Sequence, residues 1–446
     1  MKSVRTLRSD AARIWSAALR AVDPESAVRT HVKRKGSRFI AGGRSFDLDE
    51  IERVWILGAG KAAAPMGRAL EKILGKYLTG GILVTKYGHG SPLKKLEVIE
   101  AGHPLPDSQG LLAGERIAGL AGSQIGPRDL VVCLLSGGGS ALLVSPAAGI
   151  TLEDKLACTD VLLRAGANIR ELNAIRKHLS NLKGGGLARL LRRTPVISLI
   201  LSDVVGDALD TIASGPLVPD PTTFRECLDI LERLGVTDQV PPAVRLRLEA
   251  GQAGDVAETP KPGDKVFRLK DSAIVGSNTR ACTAAAALAR RLGYHTMVLT
   301  TRLEGDTGEA AAFHLSIAHE IVAHGRPVRR PACLLSGGET TVKVTGTGMG
   351  GRNQEFAMRC TAGLAHLPAP CLVASLGTDG TDGPTDAAGA MADNSTLARS
   401  LKFGARFLDQ SIRNNNSYEF FKKLGDIIVT GPTRTNVMDL HLVLIG

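Results

Sequence analysis

Short aliphatic runs alternate with longer stretches of helical period along most of the chain. That alternation predicts parallel sheets built from strand–helix–strand units. Val54-Trp-Ile-Leu57 is the first clear strand, followed by a glycine turn, a helix over residues 62–74 and a strand over 81–85. Further strands are predicted over 130–135 and 195–201, with helices over 152–165 and 173–183, which together make one doubly wound domain. Beyond Pro219 the pattern turns to helices at 222–234 and 242–250. A Gly/Ala/Pro/charged stretch with linker composition follows at 251–264. A second α/β domain is then expected, with strands at 273–275, 295–300, 332–335, 340–345, 370–376 and 440–445 and a helix at 279–292. An amphipathic helix over 10–22 opens the chain. The expected fold class is α/β in two domains: a Rossmann-like doubly wound domain over residues 1–255 and a second α/β domain over 256–446. Residues 1–45 are free to pack on the second domain, and the active site is expected in the cleft between the two.

Composition narrows the function classes. With 446 residues the chain is long enough for two cores, and 43% hydrophobic and 22% charged residues are globular proportions. Aromatics are only 4%, too few for the stacking platforms of single-strand nucleic-acid binders. The net charge of +11 favours anionic ligands in general, and small phosphorylated or carboxylated substrates fit it as well as a polyanion. Much of that excess lies in solvated stretches at 29–38 and 189–193. Seven cysteines without a C-x-x-C pair read as reduced, buried thiols of a cytoplasmic protein. No run has the length of a bilayer span, and the amino terminus lacks the apolar core of a signal peptide. Small-molecule substrates are therefore expected, with no nucleic acid and no membrane as partner; a homodimer is left open.

Gly58-Ala-Gly60-Lys61-Ala-Ala63 lies between strand and helix in the form G-x-G-x-x-A. Glycines there let the backbone approach a phosphate at a helix N-terminus. A NAD site would want an acid at the end of the next strand, and Lys86 stands there instead. Lys61 adds a fixed cation suited to a transferring phosphoryl group, although no Walker A pattern is present. Ser136-Gly137-Gly138-Gly139-Ser140 follows a buried strand and makes a nest for a carboxylate or phosphate. Lys183-Gly-Gly-Gly186, with Asn173, Arg176 and Lys177 upstream, reads either as an anion clamp or as a solvated helix face. Asp203 comes off the strand at 195–201, where it can take a proton from a substrate hydroxyl, hold Mg²⁺, or cap a turn.

In the second half the glycine-rich loop at 346–351 delivers Arg352, whose planar fork suits phosphate oxygens, to a helix start beside Asn353. Glu339, Asn353 and, more weakly, Asn278 are candidate substrate or nucleotide contacts. Asp379, Asp382 and Asp386 lie within eight residues; the first two are candidate Mg²⁺ ligands, with turn formation as the alternative. The hexapeptide Cys-Leu-Leu-Ser-Gly-Gly occurs twice, at 133–138 and 333–338, so each domain ends a buried strand in the same turn.

GAGKAA at 58–63, GHPLPD at 102–107, LSGGGSALL at 135–143, LSDVVGD at 201–207, ASGP at 213–216, GGRNQE at 350–355 and TDGTDGPTDAAG at 378–389 together span nearly the whole chain. In this order they resemble the class II glycerate kinases, the glycerate 2-kinase family with a C-terminal MOFRL domain, here about 330–440. The resemblance implies ATP with Mg²⁺ and phosphorylation of D-glycerate at its 2-hydroxyl. It points to Lys61, Asp203 and Arg352 as the catalytic group, with Gly58, Gly60 and the residues from Ser136 to Ser140 as binding residues. Relatives have also been called hydroxypyruvate reductases, which makes a NAD(P)H-dependent reductase the alternative.

Overall fold

Three short strands, β1 (Val32–Lys35), β2 (Arg38–Ala41) and β3 (Arg44–Asp47), form an antiparallel meander in residues whose charge suggests only a solvated face. Val32, Phe39 and Ala41 supply its buried side while the arginines and lysines face water. The computed structural model describes residues 2–446. These divide into two units: Pro24–Val275, which contains the meander, and a second that joins the residues up to Asp23 with Gly276–Gly446.

The larger sheet of the first unit contains β4 (Val54–Ala59), β5 (Leu78–Lys86), β6 (Leu96–Ala101), β7 (Leu130–Leu135), β8 (Val196–Leu201) and β9 (Lys270–Gly276), in the spatial order β6-β5-β4-β7-β8-β9. Counted from β4 this is 3-2-1-4-5-6, the order of a doubly wound sheet, with parallel pairing from β6 through β8. Every residue of β7 and β8 is buried, which is why both read as unbroken apolar runs. The helix Ile169–His178 begins four residues before the predicted start. Asn168 caps it, accepting from the N–H groups of Arg170 and Glu171, and Glu171 reaches back to the Asn168 N–H.

The domain boundary differs from the expectation. The strand predicted at 273–275 as the opening of the second domain is part of β9 and completes the first sheet as its edge. The chain therefore changes unit at Val275/Gly276, not within 251–264, and only the residues up to Asp23, not 1–45, join the second unit.

In the second unit β10 (His295–Leu303), β11 (Ala332–Gly338), β12 (Cys371–Gly377), β13 (Gly389–Asp393), β14 (Ile427–Ile428) and β15 (Asp439–Ile445) form a mixed sheet in the order β10-β11-β15-β12-β13-β14. Only β10 and β11 pair parallel; the last strand enters the middle and runs antiparallel to both β11 and β12. The strand predicted at 340–345 does not form. Its following loop is tied instead to three consecutive asparagines: Asn415 accepts from the N–H groups of Thr345 and Gly346, Asn414 from Thr347, and Asn416 from Met349. The first helix, Val4–Ala21, packs on Asn278–Arg291, and its Arg8 forks two mostly buried carboxylates, Asp393 at 2.6 Å and Asp426 at 2.8 Å. All seven cysteines are buried and unpaired, and no helix among the described residues is long and apolar enough to cross a membrane.

Candidate active site

β4 and β7 are neighbours where the strand order reverses, so the loops leaving their carboxyl ends meet. The Lys61 N–H donates to the Gly137 carbonyl at 2.8 Å and the Ser136 N–H to the Ala59 carbonyl at 3.1 Å. Gly60 has φ +135°, and a Cβ on it would lie 2.2 Å from Ser136 Oγ, so both the backbone conformation and the close approach exclude a side chain. Ser136 is buried, and its hydroxyl accepts from the Ala62 N–H at 3.0 Å, joining the two loops rather than facing a ligand.

The other residues of the glycine run each carry a neighbour. A Cβ on Gly137 would sit 2.3 Å from Asp203 Oδ2, which places that carboxylate on the loop, and one on Gly138 would sit 2.7 Å from the His103 ring. Ser140 Oγ lies 3.0 Å from Ser214 Oγ, which donates in turn to Asn173 Oδ1 at 3.3 Å. The Lys61 ammonium has neither ion pair nor hydrogen bond among the described residues. His103 titrates at about 4, pushed down by burial and then by Lys61 and Lys86, so it is a neutral imidazole at pH 7. Sequence reading passed over it, although it lies within the GHPLPD stretch.

In the second unit Arg352 opens the helix Arg352–Ala365. Its guanidinium grips Asp439 through Nε at 2.5 Å and Nη2 at 3.1 Å, and Nη1 meets Glu339 at 2.6 Å. Three of its five N–H groups are thus used, and two are left for a ligand. Burial raises the Asp439 carboxyl to about 7, against the pull of Arg352 and Asn353. Asn353 is fully engaged: its amide donates to Asp382 and Asp439 while Ser375 donates to its oxygen at 2.6 Å. A cavity of about 630 Å³, the size of small-molecule sites, opens beside Arg352, Gly351 and Asp379.

Two groups of candidates have other duties here. Asp382 is buried and accepts from the backbone N–H and side-chain amide of both Asn353 and Gln354, so it caps the helix that begins at Arg352. Asp379 accepts from the N–H and hydroxyl of Thr381 in a turn. No cluster of three or more metal-ligating side chains occurs among the described residues. The buried Asn278 amide donates to the carbonyls of Val437 and Asp439 at 2.9 and 2.8 Å, so it fixes the start of β15 and is not turned to a nucleotide. Asp439 itself was missed; its signal was a lone acid opening an apolar strand.

Residues 10–249 match the family model described as a domain of unknown function, DUF4147, and residues 332–439 match the MOFRL family. The glycerate 2-kinase of Pyrococcus horikoshii is 42% identical over 98% of this chain and 97% of its own. The D-glycerate 2-kinase of Thermotoga maritima is 41% identical over 89% of this chain and 91% of its own. A solved glycerate kinase structure from that organism superposes with a TM-score of 0.87 at 38% identity, covering 99% of this chain and all of that one. An Agrobacterium vitis protein, 40% identical over 97% of this chain and 93% of its own, carries a provisional hydroxypyruvate reductase name. Matched nearly end to end, and with the two loops of its first sheet interlocked around Lys61, the chain belongs to the glycerate 2-kinase family with a MOFRL region.

Proposed function

We propose that this chain transfers the terminal phosphoryl group of ATP to the 2-hydroxyl of D-glycerate, giving 2-phospho-D-glycerate and ADP. One observation carries the reading: Lys61 stands at the sheet's switch point, on the same pair of loops that holds the Asp203 carboxylate. Asp203 takes the proton of the 2-hydroxyl as its oxygen bonds to the γ-phosphorus, and the bond from that phosphorus to the β-bridging oxygen breaks. Lys61 and Arg352 stabilise the charge spread over the transferring group. Neutral His103 offers a hydrogen bond without adding a fourth charge.

Among the described residues no three metal-ligating side chains gather, and the Asp382 oxygens are taken up by the helix start. Mg²⁺ belongs to the reading as the counter-ion of the nucleotide substrate. A hydride-transfer reading has Lys86 against it, at the strand end where a dinucleotide site holds an acid.

Purified protein given D-glycerate and MgATP will form ADP and the 2-phosphate, and hydroxypyruvate with NAD(P)H will not be turned over. The reverse result overturns the proposal. Lys61→Ala and Arg352→Ala should each lower kcat by about 10²–10³ with the circular dichroism spectrum unchanged.

A further inference from the structure

The hydrogen-bonded chain Ser140–Ser214–Asn173 leads from the glycine loops to a group of charges that the reading above leaves without a task. Three basic side chains converge there from three segments: Lys155 of the helix Leu152–Arg164, Arg176 of the helix Ile169–His178, and Lys183 of the turn before Gly186–Leu190. Arg176 follows Asn173 by three residues, so the two share a helix face. Lys183 donates its ammonium to the Leu143 carbonyl, at the end of the short helix that carries Ser140, and the next N–H, of Gly184, donates to the Ser214 carbonyl at 2.9 Å. The basic group is therefore built onto the same loop as the Ser140 hydroxyl.

Its charge is uncompensated. Lys183 is 2% exposed and that one carbonyl is its partner. The side chains of Lys155 and Arg176, both partly buried, make no ion pair or hydrogen bond among the described residues. The charged neighbours acting on Lys183 are the other two cations, and burial followed by their repulsion holds it well below its ordinary range. Burial and then Arg176 push Lys155 down to about 8. The adjacent Lys177 shows the usual solution, since it is paired with Asp210 at 3.4 Å and Asp220 at 3.3 Å. Buried cations in folded proteins are ordinarily paired in this way.

We propose that Lys155, Arg176 and Lys183, with Asn173 and Ser140 beside them, form a subsite for a substrate oxyanion: the carboxylate of a small hydroxy acid or a terminal phosphate of the nucleotide. Only the source of the oxyanion rests on the glycerate kinase reading; the charge arrangement stands without it. The test is calorimetric titration of the full chain with sulfate, with D-glycerate and with MgATP, for the unaltered protein and for Arg176→Gln, Lys155→Gln and Lys183→Met. The first two side chains are partly exposed, so their variants keep the test open if the buried third fails to fold. Each variant should weaken sulfate by roughly tenfold or more, the loss of a charge-assisted hydrogen bond. It should weaken one of the two substrates by a similar factor while leaving the other within about twofold. Loss confined to D-glycerate assigns the carboxylate, and loss confined to MgATP assigns a phosphate. Melting temperatures of Arg176→Gln and Lys155→Gln in anion-free buffer should stay level or rise, because repulsion is relieved. Unchanged affinity for all three ligands in both partly exposed variants overturns the proposal. Failure of the kinase reading would instead appear as absent turnover in the unaltered protein, with the sulfate result intact.

Discussion

A carboxylate with no access to solvent survives only if neighbours hold it, and Asp439 is held by the Arg352 fork and the Asn353 amide. Burial still raises its titration to about 7. Below that pH the carboxylate gains a proton and Arg352 loses the charge that fixes its plane. We predict a kcat profile that climbs with pH through about 7, and loss of that limb in Asp439→Asn, measured with saturating substrates. The stability effect has the opposite sign. The folded state binds this proton more tightly than the unfolded chain, so the Asp439 contribution is full below about 4 and fades as pH rises through about 7. Single residues of this kind were half legible. Lys61, Asp203 and Arg352 announce themselves as charges on glycine-rich turns, whereas Asp439 and Asn278 act through partners more than sixty residues away in sequence, which no local pattern displays.

Elements that bury an entire strand, such as β7 and β8, could be drawn from the sequence to within a residue. Those whose identity depends on a distant partner could not. β9 has a half-exposed edge pattern and nothing local to say which sheet it completes. Residues 340–345 alternate like a strand, but the Asn414–Asn416 side chains capture the following loop. Asn415 is the key member, with φ +51° and an oxygen that receives two backbone N–H groups. Asparagine tolerates that conformation better than most residues. Asn415→Ala should cost about 1–3 kcal/mol in denaturant unfolding and loosen the loop that delivers Arg352. Asn415→Gly restores the backbone freedom but not the bonds, so it should recover only part of the loss.

On the scale of the whole chain the two units differ in how they are made. Pro24–Val275 is continuous and has its own apolar core around β4, β5, β7 and β8. The other unit depends on the first helix, where Leu7, Ala11, Ile14, Trp15 and Ala18 are buried. A fragment of residues 24–275 should therefore unfold cooperatively by itself. A fragment of 276–446 should resist proteolysis only when a peptide of residues 2–23 is added. Comparable protease resistance of 276–446 with and without the peptide would contradict this. The sequence left the amino-terminal residues free to join the second domain but could not say where the exchange ends, because the pairing of Val4–Ala21 with Asn278–Arg291 spans most of the chain.

The position of that first helix also sets an order of events on the ribosome. It is synthesised about 250 residues before the segment that covers its apolar face, a delay of roughly 12 to 50 s at ordinary elongation rates. Through that interval the nascent chain carries an uncovered amphipathic helix ahead of a unit that has already folded. The helix thus presents a bare apolar face on the nascent chain until Asn278–Arg291 emerges to cover it.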